Sequence, residues 1–182
     1  MAPTTLKSKL EYDDLAALPH DNQRYELLEG VLYVTPSPNT IHQRASKRLQ
    51  RQLEAYFETR GLGEVFNAPT DLILSRHDVV VPDLVVAAPV QIATRGIEGA
   101  PLLVVEIESP SSVEMDRELK PARFVRFQVP HYWLVDPGRR VIDCFTLNGD
   151  RYELVASIGE RDRYSPPDWP GLEIDAAAIW AR

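Results

Sequence analysis

Asp83 and Glu106 each interrupt a run of apolar, mostly β-branched residues, and acids in such places need a reason. Asp83 follows Pro82 within Val79-Val80-Val81-Pro82-Asp83-Leu84-Val85-Val86, although aspartate is a poor strand former. Glu106 lies in Leu102-Leu103-Val104-Val105-Glu106-Ile107-Glu108. Side chains alternate along a strand, so Leu103, Val105 and Ile107 share one face, and Val104, Glu106 and Glu108 share the other. A carboxylate at a strand end can simply face water, whereas one inside an apolar stretch is costly to bury unless paired or metal-bound. If the two strands are neighbours through the 88–101 loop, Asp83 and Glu106 converge. Two carboxylates on rigid strands suit Mg²⁺ or Mn²⁺, hard cations that keep several waters. Lys120 is a third candidate. An ammonium beside such an ion could orient a water or stabilise charge on a phosphate oxygen, though a lysine at a helix start is otherwise a solvated surface group.

The elements that must position these residues can be read from periodicity. Residues 24–35 form two short strands about the tight turn at Glu29-Gly30. Pro36, Ser37, Pro38 and Asn39 then break the chain. Ala45, Leu49, Leu53 and Tyr56 recur at helical spacing over 41–57, and Gly61 and Gly63 follow the end. A shorter helix is expected over 13–18. Strands are expected over 64–66, 71–75, 79–87 and 102–108. Pro82 implies an edge position or a bulge in its strand. Residues 120–127 form a helix with Pro121 in its first turn. A strand over 131–136 and a hairpin over 140–147 and 152–157 complete the order, with Asn148-Gly149-Asp150 at the turn. A Pro-rich tail leads to an Ala-rich segment ending at Trp180. The order predicts an α/β fold, a sheet with helices packed on it and extended by antiparallel strands. Phe124, Phe127, Tyr132 and Trp133 are core candidates.

The 182 residues fit one domain, 1–182, with a loose tail over 1–9. Apolar residues at 44% and charged residues at 26% are ordinary for a globular chain. Cys144, the single cysteine, excludes an internal disulfide framework and a cysteine zinc site, and suits a reducing cytoplasm. No apolar run is long enough to span a bilayer, and the first nine residues lack an apolar signal core. The net charge of −7 argues against a protein that coats nucleic acid with a basic surface. It is compatible with an acidic pocket whose metal ion supplies the positive charge.

The segments Val81-Pro82-Asp83-Leu84-Val85-Val86, Leu103-Val104-Val105-Glu106-Ile107-Glu108-Ser109-Pro110-Ser111-Ser112, Asp116-Arg117-Glu118-Leu119-Lys120 and Val129-Pro130-His131-Tyr132-Trp133-Leu134-Val135-Asp136-Pro137, in this order, resemble the Uma-two family. That family is counted among restriction endonucleases of the PD-(D/E)XK nuclease superfamily. The resemblance reaches upstream to Tyr25-Glu26-Leu27-Leu28-Glu29-Gly30 and His42, and downstream to Pro170-Gly171-Leu172. It implies a restriction-endonuclease-like mixed central sheet flanked by helices. It further implies metal-dependent hydrolysis of nucleic acid, most naturally DNA, with a homodimer suited to cutting both strands.

By the same resemblance, Asp83 and Glu106 are metal-binding acids and Glu26 is a further acid able to complete the shell. The superfamily usually places a lysine two residues after the second acid. Glu108 stands there, either as an added ligand or facing water, and Lys120 on the following helix takes the lysine's role. His42 at a helix start could touch a phosphate, and Arg44 and Arg48, on one face of the long helix, could follow the nucleic-acid backbone. Two other readings stay open: a catalytically silent module of the same fold, and a metal-dependent hydrolase of small phosphate esters.

Overall fold

A computed structural model describes residues 9–19, 23–35 and 39–181. The stretch 1–8, most of the expected tail, and Pro36, Ser37 and Pro38 lie outside the described residues. In chain order the elements are α1 (Tyr12–Ala16), β1 (Arg24–Leu28), β2 (Val31–Thr35), α2 (Thr40–Phe57), β3 (Glu64–Asn67), β4 (Leu72–Ser75), β5 (Asp78–Val80) and β6 (Leu84–Ala87). Next come β7 (Ile92–Ala93), β8 (Gly96–Glu98), β9 (Leu103–Ile107), a π-helical turn (Met115–Leu119) and α3 (Lys120–Arg126). The chain closes with β10 (His131–Asp136), β11 (Val141–Asn148), β12 (Arg151–Ile158), β13 (Arg163–Tyr164), β14 (Ile174–Asp175) and α4 (Ala176–Trp180).

The strands form two mixed sheets. One runs β2-β1-β5-β4-β8-β7 and the other β12-β11-β10-β9-β6-β3, with β13 and β14 as a separate pair. In the second sheet β9 and β10 are parallel, and the π-helical turn and α3 make the crossover between them. Alternation along β9 decides the layers. Leu103, Val105 and Ile107 pack with Leu49, Leu53 and Phe57 of α2. Val104 points the other way, into a core shared with Leu72 and Val80 of the first sheet and Phe124 of α3. The second sheet is therefore covered by α2 on one face, and by α3 and the first sheet on the other.

Two expectations change. The single strand over 79–87 is two strands in different sheets: β5 belongs to the first and β6 to the second. Pro82 marks neither an edge nor a bulge, because β6 is an interior strand between β9 and β3. Proline has no N–H to donate, so neither ladder continues through it and the chain passes from one sheet to the other there. The expected neighbour pairing does hold, with Leu84 opposite Val105 in antiparallel β6 and β9. Residues 88–101 also carry β7 and β8, too short to show a period in sequence; β8 adds to β4 in parallel.

The turn between β1 and β2 is held against α3. Glu29 and Gly30 both have positive φ, 55° and 79°, and a Cβ at Gly30 would lie 2.6 Å from the Lys9 Cβ. The buried Asp78 accepts the Glu29 N–H at 3.0 Å, the Ser75 hydroxyl at 2.8 Å and Arg123 Nε of α3 at 2.8 Å. Burial alone would raise this carboxyl, but those donors outweigh it and hold it below the usual range. Asp78→Asn is expected to destabilise the protein by about 2 kcal/mol at neutral pH, the loss of charge-assisted hydrogen bonds. Asp78 has a depressed folded pKa, so its contribution is full above the unfolded value near about 3.9 and disappears as pH falls through the lower folded value. Urea unfolding of mutant and wild type should converge below that range; a gap independent of pH would contradict this role.

Candidate active site

Five ionisable side chains from five segments meet where the two sheets adjoin. Glu26 comes from β1, Asp83 from the link before β6, Glu106 from β9, Asp116 from the π-helical turn and Lys120 from the first turn of α3. All five are buried, between 1% and 4% exposed. They line one cavity of about 210 Å³, together with Arg24 and His42.

Lys120 is the centre of the first cluster. Its Nζ lies 2.9 Å from Glu106 Oε1, 2.9 Å from Glu26 Oε1 and 3.8 Å from Asp116 Oδ1. Glu26 is fixed besides by the Val81 N–H at 2.8 Å and the Thr35 hydroxyl at 3.3 Å. Burial would lower the Lys120 pKa, yet Glu106, Glu26 and Asp116 together raise it, so the ammonium is firmly charged. One cation faces three acids. Burial pushes Glu106 well above the usual carboxylate range; Lys120 draws it down, while Asp116, Asp83 and Glu26 push it up again. Asp116 is raised to about 6, first by burial, against the lowering effects of Lys120 and Ser112. Glu106 and Asp116 therefore hold their protons to higher pH than an ordinary carboxylate does.

Asp83 is the centre of the second cluster. Its Oδ1 accepts Arg24 Nη1 at 2.8 Å, and its Oδ2 accepts the Ile107 N–H at 2.8 Å and faces His42 Nε2 at 2.9 Å. Burial raises this carboxyl, but His42 and Arg24 prevail and it stays below the usual range. His42 is placed by the start of α2, where the Asn39 side chain accepts the Ile41 and His42 N–H groups at 3.0 Å each. Its Nδ1 is buried and has no hydrogen-bond partner among the described residues.

Asp83, Glu106, Lys120 and Glu26 are thus brought together, and the remaining candidates divide. His42 lines the cavity but is buried against Asp83, so it holds an acid rather than standing open to a phosphate. Glu108 neither adds to the acid cluster nor faces water. It pairs with Arg117 at 2.5 Å and 2.8 Å and lines a neighbouring groove with it. Arg48 is not on a free track, because its guanidinium donates to the carbonyl oxygens of Ile179, at 3.0 Å, and Ala181. Arg44 is exposed and does not line the cavity. Sequence reasoning missed Arg24 and Asp116. The spacing of Asp116 four residues before Lys120 was the available signal, since such residues share a helix face.

The donors fit a hard divalent cation in kind: buried carboxylate oxygens outnumber the cations beside them, and Mg²⁺ needs only one or two carboxylates plus waters. Among the described residues Asp83 Oδ1 accepts a single bond, which leaves it capacity for another partner. In the present arrangement, however, Lys120 stands between Glu26 and Glu106. Among the described residues no three His, Cys, Asp or Glu side chains gather at one point able to hold a metal.

The sequence matches the model of the Uma2 family, described as "Putative restriction endonuclease", over residues 11–177. Among curated proteins none is significantly similar. Among solved structures, a "putative nuclease belonging to DUF820" from Anabaena variabilis has a similar fold, with a TM-score of 0.77 at 16% identity. The match covers 94% of this chain and 98% of that one. The structural match agrees with the mixed α/β architecture.

Lys120→Met would leave three buried acids without their ammonium and is expected to cost about 3 kcal/mol of stability at pH 8. Glu106 and Asp116, already raised, would rise further without the ammonium that draws them down. A raised acid favours folding fully below its unfolded pKa and loses that contribution as pH climbs through the folded value. The deficit against wild type should therefore shrink from pH 8 toward pH 5 in denaturant titrations. A constant deficit would contradict the charge balance described.

Proposed function

The chain belongs to the Uma2 family, and from that premise we propose that it is a divalent-metal-dependent endonuclease hydrolysing phosphodiester bonds, with DNA as its substrate. The observation that carries the reading is the surplus of buried carboxylate over cation in one cavity: Glu26, Glu106 and Asp116 around the single Lys120 ammonium, with Asp83 alongside. On this reading Asp83 and Glu106 hold Mg²⁺ or Mn²⁺, with Glu26 as a further ligand. The bound ion would lower the pKa of a water and offset charge on the phosphate.

The chain's own residues supply the rest. Lys120 presents a positive charge to a non-bridging phosphate oxygen or orients the attacking water. Arg24 and His42 keep the Asp83 carboxylate ionised and fixed in direction. The packed strands β6 and β9 set the spacing of the two acids, so little reorganisation accompanies reaction. Attack by water on phosphorus would break the bond to the leaving sugar oxygen, which takes up a proton. The proposal extends to a single domain in the cytoplasm and to a two-fold dimer that would present two such sites to a duplex.

A second reading, a silent nucleic-acid or protein-binding module, draws support from Glu108, which stands where the superfamily's lysine is usual and is closed off by Arg117. Cleavage assays separate the two. Wild type is expected to cut DNA with Mg²⁺ or Mn²⁺ and not with chelator. Asp83→Ala or Glu106→Ala should slow it by at least about a hundredfold. Wild type and both variants equally inert on a broad panel of DNA and RNA would overturn the enzymatic reading.

A further inference from the structure

Asp116 is buried in the same cavity, yet neither a metal-binding nor a catalytic role falls to it in the reading above. Its setting is unusual. It lies in the π-helical turn Met115–Leu119, closed where the Lys120 N–H donates to the Met115 carbonyl oxygen, and such turns concentrate at functional sites. The turn is tied down on both sides. The buried Tyr132 hydroxyl donates to the Asp116 carbonyl oxygen at 2.6 Å, and the Asp116 N–H donates to the Ser112 carbonyl oxygen at 2.8 Å. With its backbone held, the Asp116 carboxylate stands 3.8 Å from Lys120 Nζ, just beyond the two glutamates at 2.9 Å.

This ordering has a chemical consequence. On the metal-dependent reading, the two acids nearest the ammonium are both among the ligands given to the cation, beside Asp83. A divalent ion drawn to Glu106 competes with Lys120 for the same oxygen. A buried ammonium cannot be left without a counter-charge, so Lys120 must either keep the glutamates or find another acid.

We propose that Asp116 is a positioning residue, the standing counter-charge that keeps Lys120 in the cavity when Glu26 and Glu106 turn to a divalent cation. The inference rests on the metal-dependent reading above. Asp116 touches neither cation nor substrate; it acts through Lys120, letting the ammonium exchange one acid for another without leaving the site.

Calorimetric titration of Mn²⁺ tests this on wild type, Asp116→Asn, Lys120→Met and the double variant. Asp116→Asn should weaken Mn²⁺ binding by about tenfold, within the usual range of coupling between neighbouring residues. In the Lys120→Met background, where no ammonium competes, the same change should have little effect. Asp116→Glu, which keeps the charge, should recover most of the affinity. Unchanged binding in Asp116→Asn would overturn the proposal. An equal loss in both backgrounds would also overturn it, by making Asp116 a direct contributor to the ion. If wild type binds no Mn²⁺, the metal-dependent reading itself fails and this inference falls with it. Should Asp116→Asn not fold, Asp116→Ser carries the same comparison.

Discussion

A lysine ammonium buried away from water must have its charge met on the spot, and in this protein that requirement joins three separate elements. Lys120 of α3 reaches Glu26 on β1 of the first sheet and Glu106 on β9 of the second. Neither sheet can shift against the other without stranding a charge in a low-dielectric interior, which is among the more destabilising events a fold can suffer. Asp83 makes a parallel tie, with Arg24 on β1, His42 on α2 and the backbone of Ile107 on β9 as its partners. The hydrophobic layers around β9 set the distances; these ion pairs set which relative placement is allowed.

The same arrangement prepares for chemistry because it is not electrically closed. Asp83 has two cationic or donor side chains to itself and is held ionised. Around Lys120 the acids exceed the cation, and burial with the mutual repulsion of the acids raises Glu106 and Asp116 above the usual carboxylate range. A metal-binding site of this kind would exchange protons for a metal ion, so affinity for the ion would rise with pH. The overall charge of −7 then offers no contradiction to a polyanionic substrate, since attraction would be local and supplied by the ion.

Much of this was legible from residue order. Alternation in Leu103-Val104-Val105-Glu106-Ile107 gave the strand, its two faces and an acid pointing away from the α2 side. Asp83 stood out because aspartate resists a β-branched run. The passage of the chain between two sheets at Pro82 was not legible, because the strands on both sides are fully buried and valine-rich at the break, so composition does not change across it. The π-helical turn was hidden for a different reason: it rests on one bond spanning five residues, from the Lys120 N–H to the Met115 carbonyl oxygen, which is too local to leave a period in the sequence. Glu108 misled because strand alternation predicts a face and not a partner, and Arg117 arrives from the following turn.

The central claim is that Lys120 holds a place a divalent ion can share. A crystal structure determined after soaking in Mn²⁺, with anomalous data collected at the manganese edge, tests it most directly. The account predicts a peak bounded by Asp83 and Glu106, with Lys120 Nζ withdrawn from Glu106 and turned toward Asp116. No peak in the cavity, with Lys120 still bridging Glu26 and Glu106, would contradict it.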